Sequence, residues 1–405
     1  MSWPVVLLFC LVALHTANAQ DWPGFRGPNG QGHSAALNVP RDWSESRNVA
    51  WKTAVGGRGW SSPAVAAGRA WITTAVAGRG TSLRVLAYAI ETGRLAVDVE
   101  VFNVGDTKLL NDKNSHASPT PILQGDRVYV HFGALGTAAL TTAGDILWRT
   151  RLAYQPEYGT GGSPLLYGDL LIINCDGTDH AYVVALDTRT GAVRWKTPRR
   201  APSGPAYTTP LLVRVGGRDA VVSVGAHSAS AYDATTGTEL WRVTHYGSST
   251  VPSPVYGHGL VYLASGLQTV TLLAVRADGV GDVTATHVAW RMGRSAPLTP
   301  SPLLVGDELY IVTDAGIATC LDAATGRRHW QQRLKGDYSA SPVYAEGRIY
   351  FLNEDGAMTV VAPGTQFRTL ATNTLDGVTL ASPAVSNGSI FIRTASHLYR
   401  IATSR

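Results

Sequence analysis

The stretch Ser163-Pro-Leu-Leu-Tyr-Gly168, followed by Leu170-Leu-Ile-Ile173, Leu186-Asp-Thr-Arg-Thr-Gly191 and Trp195, decides the fold. Proline cannot donate a ladder hydrogen bond, so Pro164 belongs at the first position of a strand. It also pushes Ser163 into extended geometry. Gly168 suits the positive-φ corner of a hairpin, and the apolar run after it is β-rich. The Leu-Asp-x-x-Thr-Gly stretch is a second turn, in which Asp187 and Thr190 can bond to the backbone. Trp195 then falls on a fourth strand, four residues after the glycine. The unit reads as a four-stranded antiparallel sheet with its tryptophan on the outermost strand.

The head of this unit recurs eight times, at Ser62-Pro63, Ser118-Pro119, Ser163-Pro164, Thr209-Pro210, Ser253-Pro254, Ser301-Pro302, Ser341-Pro342 and Ser382-Pro383. Spacings run from 40 to 56 residues, the size of a propeller blade. The tail recurs as Tyr232-Asp-Ala-Thr-Thr-Gly237 with Trp241 and Leu321-Asp-Ala-Ala-Thr-Gly326 with Trp330. Gly144 with Trp148 is a shorter version. A tryptophan on the outer strand can wedge between neighbouring blades, burying ~150–250 Å².

The irregular units are informative. Val97 replaces Trp in the first, an insertion at 278–287 delays Trp290 in the fifth, and Gly364 of the seventh is followed by Arg368. The eighth has three strands before Arg405. Asn48-Val-Ala-Trp51-Lys-Thr-Ala-Val55 supplies a lone fourth strand, tryptophan included. Closing the last blade with that strand leaves no open edge. The expectation is an all-β, eight-bladed propeller of four-stranded antiparallel blades over 42–405. A Gly/Pro-rich lead segment at 20–41 precedes it, and no long amphipathic helix is expected.

The remaining composition agrees. Of the 405 residues only 16% are charged, which argues against disorder. The 43 Gly and 21 Pro follow no three-residue period, so a collagen rod is excluded. Residues 1–19, Met-Ser-Trp-Pro through Ala17-Asn-Ala19, carry an apolar run too short to span a bilayer and an A-x-A site. They read as a cleaved signal peptide whose n-region lacks Lys and Arg. Phe9 before Cys10 argues against a lipidation box. No transmembrane segment is expected after cleavage. A net charge of +5 is weak for this length, so no nucleic-acid partner is expected. Cys175 and Cys320 lie in apolar, strand-like surroundings and read as small buried side chains.

Taken together, the eightfold Ser-Pro and Leu-Asp-x-x-Thr-Gly-x-x-x-Trp pattern resembles the pyrroloquinoline quinone (PQQ)-like repeat propellers, over nearly the whole mature chain. Asp21-Trp-Pro-Gly-Phe-Arg-Gly-Pro-Asn-Gly30 is similar to the opening of many secreted bacterial members. That superfamily includes quinoprotein dehydrogenases and the outer-membrane protein assembly propeller. The enzyme branch implies PQQ, a calcium ion, a Glu/Asn/Asp ligand set, an Asp base and often an adjacent Cys-Cys pair. This chain has no Cys-Cys pair and no dense acidic loop. The reading is therefore an exported, non-catalytic scaffold in the bacterial cell envelope, periplasmic or secreted and monomeric. It requires no cofactor, and its partner is an envelope protein or a small-molecule ligand at the channel mouth. The alternative is a PQQ-dependent dehydrogenase of alcohols or sugars. A polysaccharide binder is compatible with the aromatic loops.

Propellers bind at the channel mouth, where links between blades and middle hairpins converge. The longest link, Phe102–Ala117, contains Asp106, Lys108, Asp112, Lys113, Asn114 and His116. Other links bring Tyr158, Thr160, Arg199, Arg200, Tyr207, His245, Arg294, Asp337 and Tyr338. An arginine with aromatic partners could hold a planar carboxylate. The candidate ligand site is Lys113, Asn114, His116, Tyr158, Arg200, Tyr207 and Tyr338. The middle hairpins carry Asp176, Asp179, His180, His227, Asp314, Glu354 and Asp355. They read as turn chemistry rather than a metal cluster. Asn387-Gly388-Ser389 reads as a hairpin turn before a glycosylation sequon. No catalytic triad and no dinucleotide fingerprint is present.

Overall fold

The computed structural model describes residues 21–105, 110–293 and 295–403. The signal segment at 1–19 lies outside them, as do Asp106, Lys108 and Arg294. Eight antiparallel blades close into a propeller, and no helix occurs among the described residues. Blade 3 shows the regular form. Leu165–Tyr167 is innermost, Leu170–Asp176 and Ala181–Asp187 are central, and Val193–Pro198 is outermost. The central strands are buried almost throughout, whereas the outermost strand is mostly exposed and buries only Trp195. That is the pattern of sheets packed face to face, with solvent at the perimeter.

The ring closes as the repeat count requires. Val49–Ala54 pairs antiparallel with His397–Ala402, placing Lys52 opposite Tyr399 and Thr53 opposite Leu398. The N-terminal strand is thus the outer strand of blade 8. The second unit needs a correction. Its inner strand, Ile122–Gln124, follows Thr120-Pro121 rather than Ser118-Pro119. The Ser-Pro pair two residues earlier belongs to the link, where the Ser118 hydroxyl donates to Asn114 Oδ1.

A tryptophan locks six of the eight blades to the next, with a glycine under its ring at four of those seams. The Trp51, Trp148, Trp241, Trp290 and Trp330 indole N–H groups donate to Ile90, Thr188, Ala277, Ala323 and Gly364 carbonyls, at 2.7–3.0 Å. Each acceptor lies in the turn region of the following blade. Gly93, Gly191, Gly237 and Gly326 sit under the ring of the preceding blade's tryptophan, at φ of 67–73°. A Cβ there would stand 2.5–2.7 Å from the indole. The glycine is needed twice over, for its positive φ and for the close approach of the ring.

The fifth blade's insertion has a structural use. Gly281–Asp282 adds in parallel to the outer strand of blade 4, covering that edge. Asn387 and Gly388 both take positive φ, 50° and 69°, the backbone of a tight hairpin turn.

The lead segment crosses the turn end of the ring. Trp22 bridges Val65 of blade 1, and Pro23 accepts from Leu123 N–H of blade 2. Gln31 accepts from Tyr256 N–H of blade 5, and Arg26 donates to Pro302 O of blade 6 at 2.7 Å. His33–Ser34 runs parallel to Tyr344–Ala345 of blade 7, and Ser34 Oγ donates to Val385 O of blade 8. This stretch therefore ties most blades together at one end of the channel.

Candidate functional site

At the other end of the innermost strands the residues before each proline form a closed circle. Ser62 N–H donates to Thr120 Oγ1, Thr120 to Ser163, Ser163 to Thr209, and Thr209 to Ser253. Ser253 donates to Ser301, Ser301 to Ser341, Ser341 to Ser382, and Ser382 back to Ser62. All eight bonds are 2.9–3.0 Å. Each amide bonds to the hydroxyl of the next blade, so the circle runs one way round the axis. Proline explains the arrangement. It holds the preceding residue extended, leaving that residue's N–H free to point sideways to the neighbouring blade.

These eight residues line a cavity of about 350 Å³ on the axis. Phe25 of the lead segment also lines it and floors it at the turn end. The mouth lies among the links, where Lys113, Asn114, Tyr158 and Tyr207 contribute to the wall with Trp60, Val251, Leu298 and Asp314. The channel is a cup with a hydroxyl waist and an aromatic and aliphatic rim.

Four of the seven candidate residues thus share one cavity, and the other three lie elsewhere. Tyr338 is fully buried between sheets, in one core cluster with Trp330 and Phe351. Arg200 points outward, exposed and 3.7 Å from Glu239 Oε1. His116 is partly buried outside the cavity wall. Burial, then the Arg58 charge, lowers its pKa. The link positions alone do not tell which way a side chain leaves the backbone, and these three leave it away from the axis.

Hydrogen bonds and an ion pair hold the side chains of three of the four at the mouth, and one of these bonds runs to the fourth. Asn114 Nδ2 donates to Tyr158 O at 2.7 Å, and Tyr207 Oη donates to Glu157 O at 2.7 Å. Lys113 Nζ reaches Glu354 Oε1 of blade 7 at 2.7 Å, and Ser339 Oγ shares that carboxylate oxygen. The first link therefore reaches blade 7 at the mouth. Asp314 is the carboxylate of the cavity wall. Its Oδ2 accepts from the Leu298 and Thr299 amides at 2.9 and 3.1 Å. Among the described residues, no three His, Cys, Asp or Glu side chains stand close enough together to hold a metal ion.

Several ionisable groups are instead buried between the blades. Asp176, read as turn chemistry, ends a strand and is buried. Arg199 meets it with two nitrogens, at 2.5 and 2.9 Å, and also reaches Ser223 Oγ. Burial works against the Arg199 cation, and the Asp176 charge more than offsets it, raising the guanidinium pKa. Arg393 is equally buried but meets only oxygens of Ser61 and Thr73, at 2.7 and 2.6 Å. Burial pushes its pKa down to about 9. His245 is buried with neither ring nitrogen hydrogen-bonded. Burial, the neighbouring His227 and Arg199 push it down to about 4.

Residues 43–165 and 225–380, more than half of the chain, match the family model described as outer membrane protein assembly factor BamB. The chain belongs to that family. A curated member, outer membrane protein assembly factor BamB of Burkholderia pseudomallei, is 27% identical over 274 residues. The match spans 66% of this chain and 64% of the relative, under two thirds of its length. Among solved structures, BamB from Moraxella catarrhalis superposes with a TM-score of 0.59 at 16% identity, covering 86% of this chain and 98% of that one. A europium-containing methanol dehydrogenase gives a TM-score of 0.64 at 12% identity, covering 93% and 90%. At these identities the superpositions establish the shared eight-bladed architecture. No helix among the described residues is long and apolar enough to cross a membrane.

Proposed function

We propose that the chain is an exported, non-catalytic scaffold of the bacterial cell envelope, holding an envelope protein or small ligand at the link face. Family membership supports the envelope role, since the matching relatives carry the name of an outer-membrane assembly factor. The single observation that carries the non-catalytic reading is the donor set of the cup. Its waist is eight hydroxyls, and its carboxylate is already bonded to two amides. A calcium-held quinone asks for six to eight oxygen ligands at the metal. We read this wall as unfit for PQQ with its calcium ion, and no step is derived through that group. Serine hydroxyls act as nucleophiles when a base activates them. Here each waist oxygen instead accepts an amide N–H.

Two measurements test the proposal on the full chain. In a bacterial host the mature protein is expected in the periplasmic fraction, lacking residues 1–19, and in-cell cross-linking is expected to capture outer-membrane proteins. Retention of the intact chain in the cytoplasm would overturn the envelope assignment. With PQQ and calcium added, no dye reduction is expected from alcohols or sugars. Turnover would overturn the non-catalytic reading.

A further inference from the structure

The hydrogen-bond circle leaves a chemical remainder. Each waist oxygen accepts one amide N–H. A hydroxyl has two lone pairs and one proton, so one lone pair and the proton are left over. Among the described residues none of these eight hydroxyls has a protein acceptor, and seven of the eight residues are more than nine-tenths buried. All eight line the same cavity. A buried hydroxyl without an acceptor is costly, and eight such protons converge on one axis.

We infer that the cup binds a neutral, polyhydroxylated ligand, a sugar residue or the end of a glycan chain, with the hydroxyl waist as its polar contact. The inference rests on the non-catalytic reading of the cup. Three observations select this chemistry. Hydroxyls that both donate and accept match a polyol, which does the same, whereas a carboxylate or phosphate only accepts. The charged groups of the wall are one cation and one anion, Lys113 and Asp314, each engaged by protein partners. No free charge therefore waits for an ionic ligand. The rim offers Tyr158, half exposed, with Tyr207 and Trp60, and Phe25 forms the floor. Aromatic faces pack against the C–H faces of a sugar ring while the waist takes its hydroxyls. The volume stands at the lower end of the roughly 300–1,000 Å³ typical of small-molecule sites, suiting one or two sugar rings.

The test is titration calorimetry of the mature protein with maltose, cellobiose and N,N′-diacetylchitobiose, against glucuronate and glucosamine as charged controls. At least one neutral disaccharide is expected to bind with 1:1 stoichiometry, at least tenfold more tightly than either charged sugar. Tyr158→Ala is expected to weaken it about tenfold, and Val251→Trp, which fills the cup, to abolish it. Val280→Ala, on the exposed perimeter, is expected to change nothing. Thermal melts of each variant separate lost binding from lost fold. Tighter binding of the charged sugars, or of none, would overturn the inference. So would neutral-sugar binding indifferent to Val251→Trp in a folded variant. Dye-coupled oxidation of a sugar by the PQQ-supplemented protein would instead sink the non-catalytic reading alone.

Discussion

The seam between blades 3 and 4 and the seam between blades 8 and 1 each bury an arginine, and they treat its charge differently. In the first, Arg199 meets Asp176 through two nitrogens, and His245 lies close enough to feel its charge. In the second, Arg393 bonds only neutral oxygens. The tryptophan–glycine lock is common to both: Trp195 covers Gly237, and Trp51 covers Gly93. The repeat therefore specifies the lock, while the buried polar filling is particular to each seam. The closing seam, joined by a strand from the other end of the chain, contains no buried ion pair.

That contrast can be broken by mutation. The largest effect is expected from Asp176→Ala, which strands the Arg199 cation. Removing one partner of a buried pair costs about 3–5 kcal/mol, read as a lower urea midpoint at unchanged slope. A loss below about 1 kcal/mol would mean the pair contributes little.

Acid should weaken the first seam, alongside the buried His131 of blade 2, whose pKa is also lowered by burial. The folded pKa of His245 lies near 4, below the ordinary value of 6.5. The unfolded chain therefore binds the proton first. Stability is complete above pH 6.5, falls as pH drops toward 4, and stays at the lowered level below that. Over that window the loss is about 3 kcal/mol by linkage. His245→Phe should lose correspondingly less between pH 6.5 and 4, and equal slopes for both proteins would contradict this.

Arg393→Met tests the other seam. Ser61 Oγ still donates to Thr73 O without the guanidinium, so neither group is orphaned. Exchanging a buried charge for an apolar chain is often neutral, so a change within about 1 kcal/mol is expected in urea unfolding. A loss as large as that of Asp176→Ala would erase the distinction between the seams. The smallest effect is expected at the mouth. Lys113→Ala removes a partly exposed ion pair, at about 0.2–1 kcal/mol in low salt and less in high salt.

Much of this fold was legible because its devices are local. A proline marks the head of each innermost strand, glycines mark the turns, and a tryptophan marks six of the eight outer strands. The place of Val49–Ala54 in blade 8 could be deduced because one strand was missing at one end and spare at the other. The second unit misled because two Ser/Thr-Pro pairs adjoin, and only pairing to the neighbouring blade selects Thr120. The candidate site was legible by position and not by direction. Lys113, Asn114, Tyr158 and Tyr207 line the cavity, whereas Tyr338 and Arg200 turn away, because a link residue has no periodicity to set its facing. The hydroxyl waist was overlooked although its signal was the very Ser/Thr before each proline, read there only for its backbone. Asp176 carries the signal of a turn residue in the sequence because its partner Arg199 is 23 positions away.

Hydrogen exchange at the waist amides tests the closed ring most directly. Ser341 N–H and Ser382 N–H bond across the two junctions of blade 8, which the closing strand completes, and Ser163 and Thr209 bond across junctions in the middle of the chain. Equal, near-global protection is expected at all four. Fast exchange at Ser341 or Ser382, with Ser163 and Thr209 still protected, would show an open seam and contradict a closed ring.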